Sequence, residues 1–260
     1  MLLRKLPRFV LVGLVYVFML APVLIVIPVS FTEQEYVLFP PQGFTLKWYE
    51  AYFSSESFVA GTWLSVKLGL FSTGIMLVIG TAAAWALSKR TAGVKNVLSS
   101  VFLMPLLIPR LVLGIALMIY FSSSFISSRF MGLLLAHMIL ILPYVVYIMS
   151  ANIAGLNPTL LEAAESLGAT PTRAFRTITL PLLKGGLVAA AVLGFVQSFD
   201  ELEMSLFLTG TDMSTLPVNL YHYLEFNSDP MVAAISTVVV IVSTVLVLLA
   251  ERFIGLSRYL

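Results

Sequence analysis

Six long apolar stretches constrain this chain more than any other feature. They fall near residues 9–29, 58–86, 98–120, 131–151, 181–208 and 231–250, and a helix needs about 20 residues to cross a hydrocarbon core of about 30 Å. Backbone amides find no water in lipid, so such stretches must fold as helices that satisfy their own N–H and C=O groups. The expected fold is all-α: a polytopic membrane protein of six transmembrane helices, read as one domain over 1–260 with core helices from about 58 to 250. Composition agrees, since 59% of the 260 residues are hydrophobic and only 11% are charged, far from the balance of a soluble domain. Polar groups interrupt the third and fifth stretches. The first follows Arg4, Lys5 and Arg8, as a cleaved leader would, but it is long and no A-x-A-like site leads into a soluble domain, so it is kept as a span.

Lys and Arg collect on the cytoplasmic side of membrane proteins, and here they alternate cleanly. Arg4, Lys5 and Arg8 precede the first span, Lys89, Arg90 and Lys95 join the second to the third, Arg173, Arg176 and Lys184 lie between the fourth and fifth, and Arg252 and Arg258 follow the sixth. The opposite segments carry Glu33, Glu35, Glu50, Glu56, Asp212, Glu225 and Asp229, with Lys47 and Arg129 as their basic residues. Both termini are therefore expected in the cytoplasm. The formal charge of +2 is a topology signal and not a basic face for nucleic acid, so no nucleic-acid partner is expected. With no cysteine and only His137 and His222, no metal site is expected. No G-x-x-x-x-G-K-[ST] phosphate loop occurs, so no ATP is expected to bind this chain through that motif.

Two polar segments differ in kind. Outside, residues 30–57 contain PPQGFTLKWYEAYF, whose Trp48, Tyr49, Tyr52 and Phe53 suit a short amphipathic stretch at the headgroup level. Contact with an external partner is the other reading. Inside, residues 152–179 carry their own structural signals. Asn157 is a good N-cap, Pro158 fits a first helical position, LLEAAESL favours helix and Gly168 is a stop; Thr170 and Pro171 repeat the start signal, and a second helix should run through TRAFRTI to Leu180 and Pro181. A loose tether would not need these caps.

That inner stretch reads EAAESLGATPTRAFRTITLP. Its Glu162, Ala163, Ala164, Gly168, Ile178, Leu180 and Pro181 match the EAA loop of ABC importer permeases at each consensus position. GFTLKWYEAYF, MPLLIP and SFDELEMSLFLTG followed by TLPVNLY extend the resemblance over nearly the whole chain, and resemble the second permease subunit of the spermidine/putrescine-type branch. The resemblance implies a type I importer permease fold and a cytoplasmic coupling loop over 152–179, with Glu162, Ala163, Ala164, Gly168, Ala169, Phe175, Ile178, Leu180 and Pro181 as its ATPase-coupling residues. It also implies an ABC ATPase dimer holding ATP and Mg, a second homologous permease, an extracytoplasmic solute-binding protein, a small-molecule solute and residence in a bacterial inner membrane. The physics suits the role. Ala163 and Ala164 allow close helix approach, Leu160, Leu161 and Leu167 offer an apolar face, and Glu162 can accept charge-assisted hydrogen bonds from a basic partner.

Ionisable groups at membrane depth cost about 2.5 to 3.5 kcal/mol each on insertion scales, so they face a cavity or a partner. Asp200, Glu201 and Glu203 fall in the outer half of the fifth span and Arg110 near the middle of the third, after Pro105 and Pro109. On a continuous helix Asp200 and Glu203 share a face and Glu201 points about 100° away from Asp200. Acids on a solute path would favour a polyamine-like cation. Arg110 departs from the polyamine-type pattern and would favour a carboxylate or phosphonate, so a zwitterionic or anionic solute (opine, amino-acid-like, phosphonate) or a ferric ion stays open. So does the simpler possibility that the acids lie in an external re-entrant bend, or pair with Arg110 or Lys67 to hold helices together. His137 is expected to make a helix-packing hydrogen bond, and His222 to lie in an external loop. A gradient-driven carrier would suit the acids but lacks a visible internal repeat, and an intramembrane enzyme lacks a nucleophile–base set.

Overall fold

The computed structural model describes residues 6–123 and 128–254. Arg4, Lys5, Arg258 and the side chain of Arg8, on which part of the sidedness argument rests, lie outside the described parts. The regular elements described are all helical: α1 (Leu6–Val29), α2 (Lys47–Ser54), α3 (Glu56–Ser88), α4 (Ala92–Leu103), α5 (Arg110–Ser122), α6 (Arg129–Ala154), α7 (Thr159–Ser166), α8 (Pro171–Ala174), α9 (Leu180–Leu182), α10 (Lys184–Phe199), α11 (Ser205–Leu208), α12 (Leu216–Phe226) and α13 (Met231–Ile254). By length and composition α1, α3, α6 and α13 can each cross a membrane, and two bent pairs raise the number to six when each pair is one span.

The third span is bent by proline and not by its polar groups. After α4 a single 3₁₀ turn covers Met104–Leu107, and Ile108 is extended at φ −91°, ψ 127°, as the residue before a proline prefers because the ring clashes with a helical neighbour. Pro109 then leads into α5, which lies 95° from the preceding helix. The interrupted stretch expected over 98–120 is therefore two helices meeting at nearly a right angle.

The fifth span departs further from expectation. The second loop helix does not stop at Leu180 and Pro181. It passes from α8 through a π-helical turn at Phe175–Thr179 into α9, and meets α10 at a 66° bend. Pro181 has no N–H to give to the preceding turn, and a wider turn ahead of it absorbs that missing bond. At its other end α10 stops at Phe199, after 16 residues, about 24 Å of helix at 1.5 Å per residue. Residues 200–204 form a turn before the four-residue α11. Asp200, Glu201 and Glu203 thus do not share one helix, and the face argument for them fails.

The chain divides into two compact units. One comprises the residues up to Val59 with Asn219–Val245. Its segment 30–57 is tightly folded: the Trp48 indole N–H donates to the Thr32 carbonyl at 2.8 Å, the Ser30 and Tyr49 hydroxyls lie 2.6 Å apart, and Phe31 stacks on Phe44. Tyr52 is buried while Phe53 is exposed, so the aromatic stretch is an amphipathic helix with a structured underside. Asn219 donates to the Ser57 carbonyl and Tyr223 packs against Phe58, which joins two segments expected on the same side of the membrane. His222, expected in a loop, sits on α12 beside Glu225.

The other unit comprises Ala60–Val218 and Leu246–Leu260. Here α6 is the central helix, with 56% of its apolar window buried, against 6% for α1 in its own unit. Ile141, Val145 and Met149 of α6 meet Met76 and Ala84 of α3 and Ala190 of α10. Lipid tails are as apolar as leucine, so what holds such helices together is close packing and interhelical hydrogen bonds. The Arg129 guanidinium pairs with Asp212, again joining two segments expected on one side.

In the first unit the Tyr223 hydroxyl donates to Asp229 at 2.5 Å. Burial, and then the neighbouring carboxylate, push its pKa up to about 12 from 10.0. The folded state therefore favours the neutral phenol, and the stability this contributes is complete below pH 10 and fades as the pH rises toward 12. Tyrosine absorbance titration should show a late-titrating phenol that Tyr223→Phe removes.

Candidate functional site

The loop over 152–179 is ordered by the signals in its sequence. The Asn157 carboxamide oxygen accepts the Thr159 amide at 3.1 Å and the Thr170 hydroxyl accepts the Arg173 amide at 3.4 Å, leaving fewer unpaired N–H groups at the helix starts. Gly168 has φ +85°, a left-handed conformation that costs glycine least, and beyond it the Ala169 amide closes back onto the Ala164 carbonyl at 3.0 Å. Glu162, Ala163 and Gly168 are exposed, Ala164 and Ala169 half-buried. Leu160 and Leu167 are exposed, Leu167 at 89%; the side chain of Leu161 is outside the described ones. Phe175 packs on Trp85 with ring centroids 5.2 Å apart, Ile178 is half-buried, and Leu180 and Pro181 are exposed. The loop thus anchors its second half against α3 and leaves its first helix free to meet another surface.

Of the four membrane-depth charges, Arg110 and Glu201 form an ion pair. Arg110, the first residue of α5, donates to Glu201 Oε2 at 3.2 Å, to Gln197 Oε1 at 2.9 Å and to the Tyr144 hydroxyl at 3.4 Å. Glu201 is fully buried, and its other carboxylate oxygen accepts the Met204 amide at 2.7 Å. This is a buried carboxylate with both oxygens engaged, which offsets the cost of removing it from water. Asp200 and Glu203 are exposed. Lys67 is exposed and makes no ion pair among the described residues. The turn of the fifth span and the restart of the third also touch directly: a Cβ added to Gly114 would lie 2.8 Å from the Met204 Cα.

His137 ties the same turn from a third helix. Buried on α6, its Nδ1 lies 2.6 Å from the Ser198 hydroxyl and its Nε2 3.2 Å from the Ser205 hydroxyl. Ser198 lies in the last turn of α10 and Ser205 begins α11, so one imidazole spans the break, and the expected helix-packing hydrogen bond is two. Sequence reading did not single out Gln197, Tyr144 or Trp85. Gln197 lies four residues before Glu201, a spacing that signals a shared helical face; nothing comparable marks Tyr144 or Trp85.

Apolar helices bent inside a bundle around a partly buried ion pair, together with an ordered loop whose first helix is exposed, define a polytopic membrane protein. Residues 76–256 match the model of the binding-protein-dependent transport system inner membrane component, and the chain belongs to this family. It is a multi-pass membrane protein, an ABC importer permease. The spermidine/putrescine transport system permease protein PotC of Haemophilus influenzae is 30% identical over 237 residues, 91% of this chain and 92% of that protein. The putrescine transport system permease protein PotI of Escherichia coli K12 is 27% identical over 89% of this chain and 85% of that one. A chain in the crystal structure of a bacterial alginate ABC transporter in complex with an alginate pentasaccharide-bound periplasmic protein shares the fold, with a TM-score of 0.76 at 17% identity over 96% of this chain and 94% of that chain.

Removing Arg110 alone should leave Glu201 buried and half-paired. Arg110→Leu is expected to destabilise by up to about 3 kcal/mol, with Glu201→Leu in the same chain restoring part of the loss. Thermal unfolding of the detergent-purified single and double variants measures this; additive losses would show that the two groups are not coupled.

Proposed function

We propose that this chain and a second homologous permease together form the translocation path of an ATP-driven importer in a bacterial inner membrane, and that the solute is a polyamine-like cation. The chain works as one transmembrane permease domain with both termini in the cytoplasm. An extracytoplasmic solute-binding protein delivers the solute, and an ATPase dimer, carrying the ATP and Mg that this chain does not hold, drives the permease pair between outward-open and inward-open states. The observation that carries the coupling is the capped loop 152–179, whose Glu162, Ala163 and Leu167 are exposed while Phe175 is fixed against Trp85. In this reading α7 is the element that docks into the ATPase. Gly168 permits the turn that follows, and Ala169, Ile178, Leu180 and Pro181 carry the chain back to the membrane.

The cationic solute is supported by the acidic turn. Asp200 and Glu203 are exposed, whereas the guanidinium of Arg110 is already engaged by Glu201, Gln197 and Tyr144. Path and clamp are thereby divided among residues of one short segment, and the names of the PotC and PotI relatives point the same way. A zwitterionic or anionic solute is the second reading, favoured by the 35% exposure of the Arg110 side chain.

Co-purification with the partner ATPase tests the coupling. The natural chain should retain the ATPase, and Glu162→Arg and Gly168→Asp should each lose it while remaining folded; retention by both variants contradicts the assignment. In uptake assays Asp200→Asn with Glu203→Gln should raise the half-saturating concentration of spermidine on the order of a hundredfold, since each of the two charge-assisted hydrogen bonds is worth about 1.5–3 kcal/mol. An unchanged value would move the solute path away from this turn.

A further inference from the structure

At the end of the second unit that bears the loop, a cleft of about 330 Å³ opens between the last turn of α3, the first turn of α4 and the last turns of α6. Trp85, Ile153 and Leu156 give it an apolar wall, while Lys89, Lys95 and Ser150 give it a polar one. Among the described residues neither lysine has a carboxylate partner. The Lys89 ammonium lies 4.9 Å from the centroid of the Trp85 ring. The 33 residues of α3 make about 50 Å of helix, some 20 Å more than a hydrocarbon core needs, so its last turn reaches the headgroup layer. Paired cations over an apolar floor at that depth match the junction between phosphate and glycerol in a phospholipid. A carboxylate from a soluble protein would use the cations and leave the floor empty.

We propose that this cleft is a binding site for the phosphate group of an anionic phospholipid on the loop side of the membrane. The lysines and the Ser150 hydroxyl hold the phosphate, and the apolar wall takes the start of an acyl chain. The position gives the site a regulatory meaning that rests on the coupling reading above. Pro158, which immediately precedes α7, also lines the cleft, and Trp85 packs on Phe175 in the second half of the loop. A lipid seated here therefore touches the entry of the loop directly and its exit through one ring, and braces the loop in the position from which α7 meets the ATPase.

The test uses the full chain in nanodiscs of equal parts phosphatidylcholine and phosphatidylglycerol, with retained lipid read by native mass spectrometry. Each lysine near an anionic headgroup is worth about a fivefold preference. The natural chain should enrich phosphatidylglycerol on the order of tenfold, and Lys89→Gln/Lys95→Gln should bring this close to parity. Lys47→Gln, which removes a lysine that also lies over a tryptophan ring but does not line the cleft, should leave the preference unchanged. Equal enrichment by the natural chain and the double variant overturns the site. So does displacement of the lipid preference by millimolar inorganic phosphate, which would make the ligand a soluble anion. Loss of the ATPase from the double variant without any lipid preference in the natural chain would assign the cleft to a carboxylate of the ATPase. Because lipid retention is measured on this chain alone, it stands or falls separately from the coupling itself, which the Glu162 and Gly168 variants test. In the assembled importer, ATPase activity should rise with phosphatidylglycerol for the natural chain and stay flat for the double variant.

Discussion

Breaking a membrane helix frees backbone groups that lipid cannot satisfy, and this chain breaks two. Both breaks meet at the Arg110–Glu201 pair. Arg110 begins the second half of the third span, Glu201 lies in the turn that interrupts the fifth, and the turn closes on itself through the bond from the Met204 amide to Glu201. Gly114 lets the two segments approach to contact. Remove that pair, and two irregular stretches of chain lose the partner that makes each tolerable at membrane depth. The surrounding order follows from it: Gln197 and Tyr144 complete the guanidinium's hydrogen bonds, and His137 holds the two ends of the turn from α6.

α10, which leads into the turn, and α6, which holds it through His137, also flank the loop. α6 ends at Ala154 and α10 starts at Lys184, with a 66° bend between α10 and the loop's last helix. These helices pack along each other through Ile141, Val145, Met149 and Ala190, and a close-packed interface moves as a unit more readily than it deforms. A displacement of the loop therefore has a contiguous route to the turn bearing Asp200 and Glu203. The route is a property of the connectivity.

The spans were legible because twenty apolar residues in a row admit little besides a membrane helix. The loop was legible because Asn157, Thr170 and Gly168 are local signals whose effects do not depend on distant packing. The breaks could be read only in part. Pro105 and Pro109 announced a disturbance, but the size of the bend is set by what the second half packs against. No residue type marks the end of α10 at Phe199: the run SFDELEMSLF continues as a helix by propensity, and the turn forms because Arg110, 91 positions away in the chain, and His137 hold it open. Tertiary partners overrode local preference there. The possibility that charged groups at membrane depth pair with one another holds for Arg110 and Glu201; among the described residues Asp200 and Glu203 make no ion pair and lie in a turn.

The most direct measurement is uptake of labelled spermidine by membrane vesicles holding the assembled importer, energised either by ATP on the loop side or by an imposed ion gradient. Uptake should follow ATP, survive an ionophore and require the solute-binding protein. Uptake that follows the gradient, collapses with the ionophore and ignores ATP would contradict the importer reading and make the chain a secondary carrier.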